Sequence, residues 1–114
     1  MERKSISFDV GFADAELVSY TREADSLAVV LLAWNAERLQ LNFHDILAVL
    51  DTNLGDVSDL CQVIGDSELL LDSLQRQYEG AVPADHPYKH YQLLDKDECP
   101  ALKVIAGSID IKRA

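Results

Sequence analysis

The stretch "SLAVVLLAWNAERLQLNFH", residues 26–44, contains two apolar runs separated by a short polar segment. The first run, residues 26–34, is too short for a free-standing buried helix and is rich in β-forming residues. It therefore predicts a central strand covered on both faces. In the second run, Leu39, Leu41 and Phe43 alternate with polar residues, as in a half-buried strand. Because the intervening "NAE" has the length of a hairpin loop, the two runs predict an antiparallel β-hairpin.

The segments around this hairpin also have the composition of strands. Four of them predict further strands, at residues 5–12, 16–23, 88–95 and 101–113. The first alternates most clearly and would place four apolar side chains on one face: Ile6, Phe8, Val10 and Phe12. "KDECP" joins the third of these strands to the fourth, and Gly107 with Ser108 predicts a two-residue turn or a bulge.

The middle of the chain carries the helical signals. Residues 45–52 predict a short helix that runs into a turn, and the following "LCQVI" fits either a strand or a helical turn. Residues 67–79 predict the main helix, with Asp66 as its N-cap and Gly80 just after its end. Its apolar side chains recur at helical spacing: Leu70, Leu71, Leu74 and Tyr78.

Together these elements predict an α+β fold in a single domain, residues 1–114. An antiparallel sheet of about five to seven strands would pack against one main helix, residues 67–79. A chain of 114 residues is long enough for one modest hydrophobic core. The order of the strands stays open, because only neighbours joined by hairpins can be inferred from the sequence.

Composition and charge exclude several classes of protein. A net charge of −10 argues against binding to nucleic acid or to an anionic membrane surface. No apolar run approaches the ~20 residues of a membrane span, and no hydrophobic signal region opens the chain, so a cytoplasmic location is expected. In that compartment Cys61 and Cys99 are expected to be two reduced thiols.

The negative charge is concentrated in one third of the chain. Residues 45–85 contain nine acidic residues and a single basic one, Arg76, while the rest holds eleven acids and nine bases. Such a surface speeds association with a basic partner. The alternative, a charged face that serves only solubility, stays open.

Two stretches resemble metal sites without meeting their requirements. In "ADHPYKHYQLLD", Pro87 argues against a helix that would bring His86 and His90 onto one face. In a strand the two rings lie about 13 Å apart, so strand-edge histidines are the better interpretation. "DTNLGDVSDL" lacks the calcium-loop pattern, because Gly55 and Asp56 stand at its fifth and sixth positions. The sequence thus predicts no metal site.

Catalytic motifs are missing as well. Neither cysteine has a histidine or a glycine-rich turn nearby in the sequence, and no GxSxG, phosphate loop or dinucleotide motif occurs. The sequence therefore predicts no enzymatic activity, no catalytic residue and no cofactor. An active site assembled from distant residues would show itself as a concave pocket with perturbed titratable groups.

"RLQLNFHDI", the amphipathic helix after it and "HYQLLDKDECPALKVIAGSIDI" together resemble small acidic bacterial proteins of uncharacterised function. Some members of that group are regarded as immunity proteins, which neutralise the toxin of a neighbouring cell. The resemblance covers about the C-terminal two thirds of the chain and carries no catalytic residues.

The resemblance implies stoichiometric binding of a basic protein, such as a toxin or nuclease, through an acidic surface. The predicted partner-binding residues, which would supply the complementary charge, are Asp51, Asp56, Asp59, Asp66, Glu68 and Asp72. Affinity would then fall with salt, and charge reversal at Glu68 and Asp72 would weaken it. A small-molecule-binding or homodimeric sheet domain is the alternative, since long alternating strands leave edges that need a partner.

Overall fold

Residues 2–114, which the computed structural model describes, form ten strands and one helix. The strands are β1 (Arg3–Ser5), β2 (Ala15–Glu23), β3 (Ser26–Leu32), β4 (Arg38–His44), β5 (Ala48–Asp51), β6 (Asp56–Val57), β7 (Asp59–Val63), β8 (Lys89–Leu94), β9 (Pro100–Ala106) and β10 (Ser108–Arg113). The helix α1 spans Glu68–Tyr78, between β7 and β8. Sheet I has the order β1-β7-β8-β9-β5, sheet II has the order β10-β4-β3-β2-β6, and every pairing is antiparallel.

The two sheets pack face to face, and the core lies between them. Phe43 of β4 and Tyr91 of β8 meet there with ring centroids 5.7 Å apart. Antiparallel character, the single main helix and a five-stranded sheet that carries it are therefore confirmed, but the prediction that there is only one sheet is wrong. An 11-residue helix cannot cover so many apolar strand faces, and a second sheet covers them instead.

The hairpin predicted in residues 26–44 is confirmed as β3 and β4, which pair along their whole length. Leu39, Leu41 and Phe43 face the core as predicted. However, β3 alternates between buried and half-buried residues, so the expectation that both its faces are covered is wrong. Its second face belongs to the outer surface of sheet II, over which no helix lies in the described part of the chain.

The predicted N-terminal strand, residues 5–12, is wrong. Only Arg3–Ser5 forms a strand, and the chain then runs without ladder pairing as far as β2. The apolar side chains still point inward, since Val10 and Phe12 are buried and Ile6 and Phe8 pack partly against the core. Alternation of apolar and polar residues indicates which side chains are buried. An extended segment without strand partners shows the same alternation as a strand.

The helix predicted at residues 45–52 is also wrong. Ala48–Asp51 instead forms β5, which pairs with β9 at the edge of sheet I. The undecided "LCQVI" segment lies mostly in β7, which pairs with β1 and β8. Short apolar runs carry too little periodicity to separate a helical turn from a strand, so the partner strands decide the outcome.

Helix α1 agrees with the prediction within one residue at each end. Its N-cap is Ser67 and not Asp66: the Ser67 hydroxyl accepts a 3.1 Å hydrogen bond from the backbone N–H of Leu70. Leu70 and Leu74 pack on Ile105, on the face of sheet I that looks away from sheet II. The helix therefore covers part of that outer face and leaves the rest accessible.

The C-terminal strands are confirmed, with one correction at Gly107. Strands β8 and β9 form the predicted hairpin, but β9 and β10 do not pair with each other. At Gly107 the chain passes from sheet I to sheet II, so the residue forms neither the predicted two-residue turn nor a bulge. A Cβ at Gly107 would lie 3.2 Å from the Cβ of Asp45, a close contact that favours glycine at this crossover.

Candidate functional site

The six predicted partner-binding carboxylates do not form one continuous surface. Asp66, Glu68 and Asp72 lie together at the start of α1. The other three lie on three different strands: Asp51 on β5, Asp56 on β6 and Asp59 on β7. Strands β5 and β7 are separated by β8 and β9 in sheet I, while β6 belongs to sheet II.

Two of these carboxylates are engaged in hydrogen bonds that hold the fold. Asp51 accepts from the backbone N–H of Leu54 at 2.9 Å and from the Tyr20 hydroxyl at 2.7 Å, and these bonds lower its pKa. Asp59 accepts from the Ser5 hydroxyl at 2.6 Å and from the Cys61 thiol at 3.3 Å. Both side chains therefore have a structural role in addition to their charge.

Asp56 belongs to a larger group of carboxylates at one end of the sandwich, which we name the acidic end. Its members line two adjoining concavities around one basic side chain, Lys96: they are Asp14, Glu16, Asp56, Asp95 and Asp97. Glu16 and Asp56 are direct cross-strand partners in the ladder between β2 and β6. The Asp95 carboxylate also accepts the backbone N–H groups of Asp97 and Cys99 and so stabilises the turn between β8 and β9.

The sequence prediction missed four members of the acidic end, because it counted charge along the chain. Asp14 and Glu16 precede residues 45–85, and Asp95 and Asp97 follow them. The antiparallel fold brings the three segments together. The acid-rich turn of the predicted hairpin "LLDKDECPALK" was the one signal in the sequence that could have pointed to this region.

A second candidate site is an open cavity of about 700 Å³ on the outer face of sheet I, beside α1. Its floor is formed by side chains of three strands, among them Arg3 of β1, His90 and Gln92 of β8, and Lys103 of β9. The first turns of α1 form the wall, with Ser67, Glu68, Leu69 and Asp72. The helix lies over only part of the sheet, and the cavity lies between the side of the helix and the uncovered part of the sheet.

The floor of the cavity contains a chain of hydrogen bonds that is partly buried at Arg3 and buried at Gln92 and His90. Arg3 Nε donates to Gln92 Oε1 at 2.8 Å, so the amide nitrogen of Gln92 faces His90 Nε2, at 3.3 Å. Because this amide nitrogen can only donate, His90 Nε2 must accept, and the ring proton lies on Nδ1. His90 Nδ1 therefore donates to the Ser67 hydroxyl oxygen, 2.6 Å away.

The Ser67 oxygen thus accepts two hydrogen bonds, one from His90 Nδ1 and one from the Leu70 backbone N–H. Its own hydroxyl hydrogen takes part in neither, and no other hydrogen bond within residues 2–114 uses it. Ser67 is only 3% exposed. The result is a buried donor in the wall of the cavity that lacks an acceptor within the described chain.

Two positively charged side chains, Arg3 and Lys103, line the same cavity. Burial, together with Lys103 and Arg3, lowers the pKa of His90 to about 4, so the ring is neutral at pH 7. No carboxylate of residues 2–114 lies within 4.0 Å of the Lys103 amine or of the Arg3 guanidinium. On the wall, by contrast, Asp72 pairs with Arg76 at 3.1 Å.

The two histidines of "ADHPYKHYQLLD" are not brought together as a pair of ligands. His90 is buried in β8, the middle strand of sheet I, so its interpretation as a strand-edge residue is wrong. His86 lies in the link before that strand, where its Nδ1 accepts from the Tyr88 backbone N–H at 3.2 Å. Among residues 2–114, no group of three or more His, Cys, Asp or Glu side chains is arranged to hold a metal ion.

The two thiols are both free, as predicted. Cys61 is buried on β7, and burial next to the Asp59 carboxylate raises its pKa to about 11. Cys99 is exposed in the turn between β8 and β9.

Comparison with family models, with curated proteins and with solved structures found no match to this chain. Within residues 2–114 the single helix is too short and too polar to cross a membrane.

Proposed function

We propose that this protein is a non-enzymatic protein-binding domain that binds a basic partner through its acidic end. A stoichiometric inhibitor of the immunity type, acting on a basic toxin or nuclease, fits this role. The observation that carries the proposal is the direct pairing of Glu16 with Asp56 across two strands. Like charges in that position destabilise a sheet, and a basic partner would relieve the repulsion.

The surroundings of that pair support the same function. Asp14, Asp95 and Asp97 add three more carboxylates, and Lys96 is the single amine among them. Trp34 lies in the β3–β4 loop at the same end of sheet II and is 66% exposed. An exposed tryptophan beside a charged patch supplies the apolar anchor that protein interfaces commonly need, while the carboxylates guide the approach of the partner.

The acidic end and the start of α1 can be compared directly as binding surfaces. One variant neutralises three carboxylates of the acidic end: Asp14→Asn, Asp56→Asn and Asp97→Asn. A matched control neutralises three on the helix: Asp66→Asn, Glu68→Gln and Asp72→Asn. Asp95 is left unchanged, because its side chain holds the β8–β9 turn.

The wild type and both variants are immobilised and exposed to lysate of the source cells at low salt. We expect one basic protein, retained stoichiometrically by the wild type and by the helix variant and lost by the acidic-end variant. With the purified pair, the association rate should fall as salt rises. If only the helix variant failed to retain the partner, the binding surface would lie on α1. The absence of any stoichiometric partner would refute the proposed function.

An edge-to-edge homodimer is a second candidate, favoured by the open edge of β2. Strand β6 pairs only with Ala15 and Glu16, so the remainder of β2 has a strand neighbour on one side only. This edge exposes two large apolar side chains, Val18 and Tyr20. Light scattering at increasing concentration tests the idea: a dimer that Val18→Lys dissociates would support it, and a monomer throughout would exclude it.

A further inference from the structure

The cavity beside α1 combines features that the acidic end does not share. The residues that line it include three with hydrogen-bond donors: Ser67 with its hydroxyl, Arg3 with its terminal guanidinium nitrogens and Lys103 with its amine. The Ser67 hydroxyl hydrogen takes no part in the bonds to His90 and Leu70. The Arg3 bond to Gln92 uses only Nε, so the terminal nitrogens of Arg3 are not used in it. Neither cation is neutralised by a carboxylate within the described residues.

Such a set of donors selects an acceptor that carries negative charge. A buried hydroxyl hydrogen without an acceptor destabilises the fold, and an oxyanion in the cavity would supply that acceptor. Charge-assisted hydrogen bonds from arginine and lysine to an oxyanion are roughly twice as strong as neutral ones. The helix N-terminus in the wall adds backbone N–H groups of favourable polarity, as a supporting contribution.

The wall that carries Ser67 also has two acceptors, the carboxylates of Glu68 and Asp72. The Asp72 carboxylate is already paired with Arg76, but Glu68 pairs with no basic side chain of residues 2–114. Glu68 therefore suits a hydrogen-bond donor on the same ligand, such as an ammonium or hydroxyl group. A cavity of about 700 Å³ lies in the usual range for sites that hold small molecules.

We propose that this cavity binds a small organic oxyanion, held through a carboxylate or phosphate group by Ser67, Arg3 and Lys103, with a donor group of the ligand facing Glu68. The hydrogen bonds from Arg3 through Gln92 and His90 to Ser67 fix the orientation of that serine. This site is separate from the proposed protein-binding surface and does not depend on it.

The test is an NMR titration of the ¹⁵N-labelled full chain with three probes: inorganic phosphate, acetate and glycine. Sodium chloride at equal ionic strength is the background. We expect saturable shifts of the Gln92 side-chain amide and of the Leu69 and Leu70 backbone amides, complete below about 50 mM probe. Glycine should bind more tightly than acetate, and Glu68→Gln should abolish that difference.

Two variants separate a specific site from general electrostatics. Lys103→Gln should weaken binding at least about tenfold, whereas Lys112→Gln, which removes the same charge from β10 of the other sheet, should leave it unchanged. Ser67→Gly removes the hydroxyl without adding a charge, and glycine is tolerated at an N-cap, so this variant should keep the helix and lose binding. Chemical shifts that change linearly with the concentration of all three probes would overturn the proposal. Equal weakening of binding by Lys103→Gln and Lys112→Gln would overturn it as well.

Discussion

The Tyr20 hydroxyl donates a 2.7 Å hydrogen bond to Oδ2 of Asp51 and so links the two sheets along one side of the sandwich. Tyr20 lies on β2 of sheet II, and Asp51 ends β5, an edge strand of sheet I. The bond raises the pKa of Tyr20. The Leu54 backbone N–H, followed by the Tyr20 hydroxyl, lowers the pKa of Asp51.

We expect Tyr20→Phe to lower the free energy of unfolding at pH 7 by about 0.5–1 kcal/mol, a modest loss because the pair is exposed to solvent. In Asp51→Asn, Oδ1 can still accept from the Leu54 N–H, but an amide nitrogen replaces the Oδ2 that accepts from Tyr20. Chemical denaturation of the two single variants and the double variant should give a coupling energy of about 0.5 kcal/mol. Additive losses would mean that the two side chains do not stabilise each other.

His90 makes the stability of the fold depend on pH. Its pKa is lowered from 6.5 to about 4, first by burial and then by Lys103 and Arg3. Between these two values the unfolded chain binds more protons than the folded chain, so stability rises with pH. The contribution is fully present above pH 6.5 and is lost as the pH falls toward 4, for a total on the order of 3 kcal/mol.

Urea denaturation across this pH range measures the effect. In His90→Asn, the amide nitrogen can still donate to Ser67, but the residue no longer titrates. We therefore expect a shallower loss of stability on acidification than in the wild type, with the remaining slope due to carboxylates such as Asp51 and Asp110, whose pKa values the fold lowers. Identical pH profiles would exclude His90 as the titrating group.

The tautomer of His90 has a spectroscopic signature of its own. Because Nε2 accepts from the Gln92 amide and Nδ1 donates to Ser67, the ring nitrogens are inequivalent. Nitrogen-15 NMR at pH 7 should show a protonated, pyrrole-type Nδ1 and a pyridine-type Nε2. The opposite assignment would mean that Ser67 donates to the ring, and the hydroxyl would then be unavailable to a ligand in the cavity.

Much of the strand content could be predicted from the sequence, because hairpins depend on neighbouring residues. The β3–β4 hairpin and the β8–β9 hairpin both have short polar loops between strand-forming runs, and both are confirmed. The number of sheets could not be predicted in the same way. Gly107 looks like a turn within one sheet, yet the chain crosses there between two sheets, which only the packing of distant strands decides.

The same distinction applies to the candidate sites. The N-cap prediction chose Asp66 over Ser67, since both residue types favour that position and the buried His90 that selects the serine lies 23 residues away in the chain. Arg3 and Gln92 lie 89 residues apart. No local pattern connects such positions, so neither the cavity nor the acidic end could be predicted, although most of their residues lie in segments whose strand or helix type was predicted.

Leu74 and Leu71 provide a matched test of how α1 is attached to sheet I. Leu74 is 2% exposed and packs in the cluster with Leu70 and Ile105, whereas Leu71 on the same helix is 46% exposed. Leu74→Ala should cost about 2–4 kcal/mol of unfolding free energy, because it removes buried apolar surface and leaves a void between helix and sheet. Leu71→Ala should change stability by less than about 0.5 kcal/mol, since alanine is a good helix former and little burial is lost. Thermal and chemical denaturation measure both losses. If Leu74→Ala and Leu71→Ala lost the same unfolding free energy, the packing of α1 on Ile105 would be contradicted.

The two thiols should differ sharply in reactivity. Cys61 is buried, and its pKa is raised to about 11, so very little thiolate is present at pH 7, whereas Cys99 is exposed at the β8–β9 turn. Alkylation of the native protein followed by mass spectrometry should label Cys99 first and Cys61 only as the chain unfolds. Cys99→Ser should leave a protein that resists the reagent at neutral pH and reacts fully in denaturant, and Cys61→Ser should react as fast as the wild type. Rapid labelling of Cys61 in the folded Cys99→Ser variant would show that β7 opens to solvent, and the hydrogen bond between its thiol and Asp59 would then not persist in solution.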